Sequence, residues 1–424
     1  MVVAFPKAEA RMPLRRLSLL FALALGAPLS VHAVDFSATE LARAKALQQR
    51  LLTLDSHLDT PANLARPGFD ITHRHDHNAL SQVDYPRMLD GALDGGFWAI
   101  YTDQGDRGDA AHLAERDHGL RRLMEIREML AAHPDRFQLA LTADDAARIK
   151  AAGKRVVYIS MENASPLVAD PSLLGFYHAA GLRLLSTVHF ANNEFADSAT
   201  DPRGAEWNGL SPAGKALVEQ AVKLGIVLDQ SHASDAVFDD LLATLPVPFI
   251  LSHSASKAVF DHPRNLDDAR LRQLAAKGGV IQLNAYGGYL VDETPGEERR
   301  QAEQEIEQRL GSWDDMPIEK GVELARAMAE LDQRIPRRRA TLDDFFAHFA
   351  HILDVVGPEH VGIGMDWDGG GGLPGMADVT DLPRITAWLQ QRGLSEAQIA
   401  GIWSGNVLRV MREVQDHAAK NGAR

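Results

Sequence analysis

His57 and Asp59 stand two residues apart at the end of the apolar run Leu51-Leu52-Thr53-Leu54. In a β-strand such residues project to the same face, so an imidazole and a carboxylate there can grip one cation from one side. The same arrangement, an apolar run ending in a metal-capable residue, recurs down the chain. Arg155–Ser160 leads to Glu162, Leu182–Val188 to His189, Ile226–Ser231 to His232, and Pro248–Ser252 to His253. A last run, His360–Met365, opens onto Asp366-Trp367-Asp368. A carboxylate directly after a buried strand is costly unless it is paired, and Glu162 has one oxygen for each of two cations. One strand-end histidine is more often a hydrogen-bonded core residue. Three from successive strands, beside His57, Asp59 and Glu162, point to a two-metal hydrolase.

The chemistry follows from charge. Two cations sharing a carboxylate and a water bring that water's pKa towards neutrality and polarise a substrate carbonyl. A nearby carboxylate, Asp366 or Asp368, can take the proton and return it to a leaving amine. A further imidazole can stabilise the oxyanion. Arg264, in His262-Pro263-Arg264-Asn265 beyond His253, suits a bidentate grip on a substrate carboxylate from the rim. The cluster His73-Arg74-His75-Asp76-His77 has no strand behind it and reads as a solvated loop.

Eight apolar runs bounded by breakers read as buried strands, near 51–55, 96–101, 155–160, 182–188, 225–230, 247–252, 279–284 and 360–365. Helical patterns lie between most of them, over 110–132, 143–151, 212–223, 234–243, 267–277 and 341–356. Continuous apolar strands suit a parallel sheet covered on both faces. Strand alternating with helix about eight times predicts an α/β (β/α)8 TIM-type barrel, in which all strand C-termini converge on one face. A doubly wound sheet is the alternative, but no Gly-x-Gly-x-x-Gly follows the first strand. The charged segment 291–340 reads as a helical insertion before the last strand, on the active face or as a surface excursion. The glycines 369–372 lack a following Lys-Ser/Thr and form no phosphate loop.

The 424 residues, 45% hydrophobic, suffice for one barrel with insertions. No apolar run is long enough for a transmembrane span. Arg11, Arg15 and Arg16 precede the apolar stretch Leu17–Leu25, followed by Pro28 and Val31-His32-Ala33. That order predicts a signal peptide over 1–33, cleaved near Ala33, with export to a periplasm or the exterior and a single hydrolase domain over 34–424. Losing the leader's net charge of +3 takes the chain from −14 to about −17. So acidic a surface repels phosphate backbones and argues against nucleic acid. Without cysteine, disulfides are excluded and every metal ligand is nitrogen or oxygen, which suits Zn²⁺.

Assembled, these stretches resemble the membrane (renal) dipeptidase family, peptidase family M19, zinc peptidases on an amidohydrolase-like barrel. The resemblance rests on Asp55-Ser56-His57-Leu58-Asp59, Ser160-Met161-Glu162-Asn163, Thr187-Val188-His189, Asp229-Gln230-Ser231-His232 and Ser252-His253-Ser254 through Arg264-Asn265. It continues through Asn284-Ala285-Tyr286, Val361–Gly369, Gly405-Asn406 and Arg409. It implies two Zn²⁺ per chain, one on His57 and Asp59, the other on His232 and His253, with Glu162 bridging. It implies that His189 contacts substrate and the tetrahedral intermediate, Arg264 binds the dipeptide's terminal carboxylate, Asp366 shuttles the proton and Tyr286 lines the pocket. Members are commonly homodimers, and some accept a D-residue at the C-terminal position or open β-lactams. Trp367 stands where the family usually has Phe, and the four glycines after Asp368 are atypical. The expected function is therefore a zinc-dependent dipeptidase. The alternatives are an amidohydrolase acting on a lactone, cyclic amide, β-lactam or phosphotriester, and an exported binding protein on an inactive barrel.

Overall fold

The computed structural model describes residues 35–75, 81–105, 107–311 and 316–421. The expected leader, and Asp76 and His77 of the polar loop, lie outside them. Among the described residues nine strands form, all pairing in parallel: β1 Leu54–Leu58, β2 Gly95–Tyr101, β3 Phe137–Leu139, β4 Arg155–Glu162, β5 Leu182–Ser186, β6 Val227–Asp229, β7 Ile250–Ser254, β8 Val280–Leu283 and β9 Val361–Ile363. The eight in the order β1-β2-β4-β5-β6-β7-β8-β9 make the barrel. Its first and last strands meet just beyond β9, where Leu58 bridges to Trp367 and the Asp59 amide donates to the Trp367 carbonyl at 2.9 Å. β3 pairs only with the first half of β4, Phe137 opposite Arg155, below the point where β5 begins at Ile159. Three residues are too few to show a period, and the sequence analysis did not anticipate β3.

The strands are buried along almost their whole length, as a parallel barrel covered by helices requires, and Trp98, Tyr158 and Trp367 are among its fully buried side chains. Each expected helix forms within two residues of its bounds, for example Asp109–Ala132, Pro212–Leu224 and Leu342–Val356. Local chemistry sets their ends. Ser211 accepts from the Gly214 amide with Pro212 in the first turn, and Gly225 closes the helix with φ 79°. Thr341 and Asp344 form a reciprocal capping box.

The insertion is helical as expected, with Glu297–Leu310 against Ile318–Arg334. Arg299 joins the two, bonding Asp332, Glu303 and the Ile335 carbonyl. The pair lies against the loop after β1, where Arg66 Nε donates to the Met316 carbonyl at 2.9 Å. It therefore belongs to the face on which the strands end.

Packing beneath that face is tight. A Cβ on Gly364 would stand 1.8 Å from the Ser252 carbonyl oxygen and 2.6 Å from Ser56 Oγ. Gly364→Ala is expected to destabilise the barrel by about 2–3 kcal/mol, read as a lower urea midpoint. An unchanged midpoint would show that β7 and β9 yield freely.

Candidate metal centre

Every expected ligand arrives from the C-terminal end of a strand, His57 and Asp59 sharing β1. His57 is the fourth residue of β1 and Asp59 the first beyond it; Glu162 closes β4; His253 lies within β7. His189 and His232 each follow their strands by three residues. Their side chains converge on Glu162. Its Oε2 lies 3.2 Å from His57 Nε2, which is itself 3.2 Å from Asp59 Oδ2. Its Oε1 lies 3.1 Å from His232 Nε2 and 3.3 Å from His253 Nε2, and those two nitrogens are 2.9 Å apart. His189 Nε2 is further off, 3.8 Å from Oε1. Donor atoms from three overlapping groups come within 4.8 Å of one another: His57, Glu162 and His253; Glu162, His189 and His232; and His57, Asp59 and Asp366.

The backbone is strained where the cluster forms. Outside glycine, positive φ occurs at six described residues, among them Asn163 (68°), His232 (69°), Asp366 (65°) and Asp368 (66°). Such conformations cost of order 1–3 kcal/mol each and persist where the surroundings over-determine them. Past the end of β9 they turn Asp366 and Asp368 apart. Asp366 Oδ1 comes 4.0 Å from His57 Nε2. Asp368 instead accepts from Thr60 Oγ1 at 2.7 Å and the Gln82 amide at 2.6 Å, fastening two loops. Of the two carboxylates left open by the sequence, Asp366 is the one in the cluster. Gly369 follows because a Cβ there would meet Asp59 Oδ2 at 2.0 Å and Asp366 Oδ1 at 2.4 Å; the first of the atypical glycines thus lies against the site.

The donor set fits a divalent cation. His57 Nε2 is buried within reach of two carboxylates yet makes no well-directed hydrogen bond, and Asp59 Oδ1 is likewise unpartnered. Burial, then the charge of His57, hold His253 down at about 3, and burial with Arg264 keeps His232 well below the ordinary imidazole range. Burial also lowers His189. Neutral imidazole is the form that binds metal. His57 is the exception: burial opposes its protonation, but Glu162 and Asp59 raise it well above its ordinary value. Burial works against the Glu162 anion too, yet His57 and His189 hold its carboxyl well below the usual range. Burial, reinforced by Asp59 and Glu162 against His57 and Arg264, pushes Asp366 up to about 8. So many lone pairs around so few protons are what a cation relieves.

Arg264 is expected at the rim, but the structure buries it: it is 4% exposed, with Nη2 donating to the His253 carbonyl at 2.9 Å and its guanidinium 5.1 Å from the Tyr289 ring. Among the described residues no carboxylate pairs with it, and its Nε has no partner. Tyr286 is the exposed member, at 37%, with its ring 4.6 Å from that of Tyr289. The sequence reading missed Tyr289, three residues on in the short helix Gly287–Leu290 that Tyr286 precedes, and Tyr101, whose ring meets that of His189 edge-on at 5.0 Å. Tyr101 was legible in principle as the last residue of a buried strand.

An α/β barrel with histidines and carboxylates gathered at its strand ends defines a metal-dependent hydrolase. The profile of the membrane dipeptidase family, peptidase family M19, matches residues 41–424. The chain belongs to that family and is a metallo-dipeptidase. It is 29% identical to dipeptidase ataJ of Aspergillus terreus over 414 residues, 90% of this chain and 89% of that protein. It is 28% identical to dipeptidase tcpJ of Claviceps purpurea over 342 residues, 80% and 70% of the two chains. Among solved structures, the probable dipeptidase PvdM of Pseudomonas aeruginosa superposes with a TM-score of 0.77 at 27% identity, covering 90% of this chain and all of that one. A metallopeptidase of Rhodobacter sphaeroides, solved with a phosphinate mimic of the dipeptide L-Ala-D-Ala, gives 0.68 at 25%, covering 86% and 99%. Among the described residues no helix is long and apolar enough to cross a membrane.

Proposed function

We propose that this chain is an exported dizinc dipeptidase that cleaves free dipeptides, including those with a D-residue at the C-terminal position. The observation that carries the reading is the division of Glu162, whose Oε2 faces His57 while Oε1 faces His232 and His253. His57 and Asp59 then hold one cation and His232 and His253 the other. The triangle of Oε1 with the nitrogens of His232 and His253 has sides of 2.9 to 3.3 Å, whereas His189 is 3.8 Å away, which supports leaving His189 for substrate. Bound there, the two zinc ions supply Lewis acidity towards the scissile carbonyl and a hydroxide nucleophile at neutral pH.

The remaining roles belong to the chain. Arg264, buried without a carboxylate, receives the terminal carboxylate of the dipeptide, which supplies its missing counter-charge. Tyr286 lines the mouth beside it. His189, steadied by Tyr101, touches the substrate and stabilises the oxyanion. Asp366, beside His57, carries the proton to the leaving amine. The D-residue is supported by the Rhodobacter sphaeroides neighbour, solved with a mimic of L-Ala-D-Ala. Residues 1–33 act as a cleaved signal peptide, residues 34–424 form one hydrolase domain, and the mature enzyme works as a homodimer.

Turnover of L,L-, L,D- and D,D-dipeptides by the zinc-loaded mature protein tests the proposal. Free amino acids are expected from the L,L and L,D members, with turnover abolished by chelation and restored by zinc. Two zinc ions bound per chain with no dipeptide cleaved would reject the substrate. Turnover of a lactone, cyclic amide or β-lactam instead would establish the rival hydrolase.

A further inference from the structure

Behind His253 lies a polar network that none of the assigned roles uses. Asp229, buried at the end of β6, accepts four hydrogen bonds. Its Oδ1 takes the amides of Ser231 (2.9 Å) and Ser252 (2.8 Å), and its Oδ2 takes the hydroxyls of Ser186 (2.7 Å) and Ser252 (2.5 Å). Four donors on two oxygens fill the acceptor sites of an ionised carboxylate. The network spans three adjacent strands, since Ser186 of β5 is in register with Asp229 and Ser252 belongs to β7. From Ser252 it reaches the cluster: Ser252 Oγ lies 2.8 Å from His253 Nδ1.

The direction of these bonds follows from proton counting. Ser252 has one hydroxyl hydrogen. Asp229 Oδ2 at 2.5 Å claims it over Ser231 Oγ at 3.4 Å. The Ser252 oxygen can then only accept from His253, so the hydrogen of the imidazole is on Nδ1 and the lone pair on Nε2, facing Glu162. Neither His232 Nδ1 nor His189 Nδ1 has a hydrogen-bond partner. Among these three histidines the relay serves His253 alone.

We propose that Asp229, acting through Ser252, is a positioning residue that fixes His253 in its Nδ1–H tautomer and thereby sets the affinity of the cation site His253 shares with His232. This rests on the reading of His253 as a metal ligand. An anion behind a ligating imidazole raises its donor strength and locks its ring. The position of Asp229 makes an isosteric change informative. The two backbone amides on Oδ1 cannot reverse, so in Asp229→Asn the amide oxygen takes that place and the –NH₂ faces Ser186 and Ser252. The Ser252 hydroxyl then turns to donate to Nδ1, which leaves the hydrogen on Nε2, where the metal binds. Ser252→Ala merely frees the ring.

Zinc affinity is to be measured by competition with a chromophoric chelator on the full-length mature protein, with the thermal midpoint of the metal-free form followed in parallel. Asp229→Asn is expected to weaken one of the two sites by roughly 100-fold and Ser252→Ala the same site by roughly 10-fold, the range known for groups behind a ligand. The other site keeps its affinity. If Asp229→Asn does not fold, the Ser252→Ala value decides alone. Wild-type affinity in the variants that fold, or an equal loss at both sites, overturns the relay. His253→Ala separates the two readings: if it keeps both zinc ions at wild-type affinity, His253 is no ligand and the assignment above fails first.

Discussion

Glu162→Gln is expected to reduce kcat by roughly 10³-fold or more, beyond the 10- to 100-fold cost typical of a residue behind the ligands. The reason is geometric. Both oxygens of Glu162 are in use, one against His57 and one against His232 and His253. An amide of the same shape offers one acceptor and turns its –NH₂, a donor, towards whichever half it faces. That half loses a ligand and gains a repulsive dipole, and the central negative charge disappears from both. Bound zinc per chain, measured by atomic emission, is expected to fall with the activity. Far-UV circular dichroism stays unchanged, because strand β4 is held by its pairing with β2 and β5. Full turnover in the variant would sink the bridging role.

Arg264→Ala is expected to lower kcat/KM for dipeptides by roughly 10- to 150-fold, the equivalent of the 1.5–3 kcal/mol typical of a charged hydrogen bond. Loss of packing alone gives a similar number, so the informative comparison is between a dipeptide and its C-terminal amide. The wild type is expected to discriminate strongly against the amide, which brings no charge to the buried guanidinium. In Arg264→Ala the two substrates converge. Arg264→Lys keeps the charge without the planar fork and is expected to recover only part of the preference. If acid and amide are still discriminated as before in Arg264→Ala, the carboxylate is held elsewhere.

Much of this site was legible because barrel topology turns order along the chain into position around a ring. A histidine after an apolar run needs no tertiary information to be placed, since every strand ends on the same face. What escaped the reading depends on the exact residue at which a strand stops. Alternation treats Asp366 and Asp368 alike, yet β9 ends at Ile363 and positive φ at both residues sends one into the cluster and the other to Thr60 and Gln82. Arg264 was expected at the rim because a loop arginine ordinarily reaches for water. Its bond to the His253 carbonyl, eleven residues back, draws it inward. The Asp229 network left no trace in periodicity, for Ser186 and Ser252 are 43 and 23 residues from their partner. Strand register alone brings them together.

The meeting of Leu58 with Trp367 also bears on when during its life the enzyme acquires metal. A nascent chain that has reached residue 350 already carries His57, Asp59, Glu162, His232 and His253, but lacks β9 and so leaves both β1 and β8 with an open edge. The ring that aims those side chains at one another closes only once Trp367 has been added, with 57 residues still to follow. Full convergence of the ligands is thus a late event in the making of the chain. Because metal binding is coupled to folding, the cations present where the chain folds, as well as the preference of the ligands, bear on which ion the site takes.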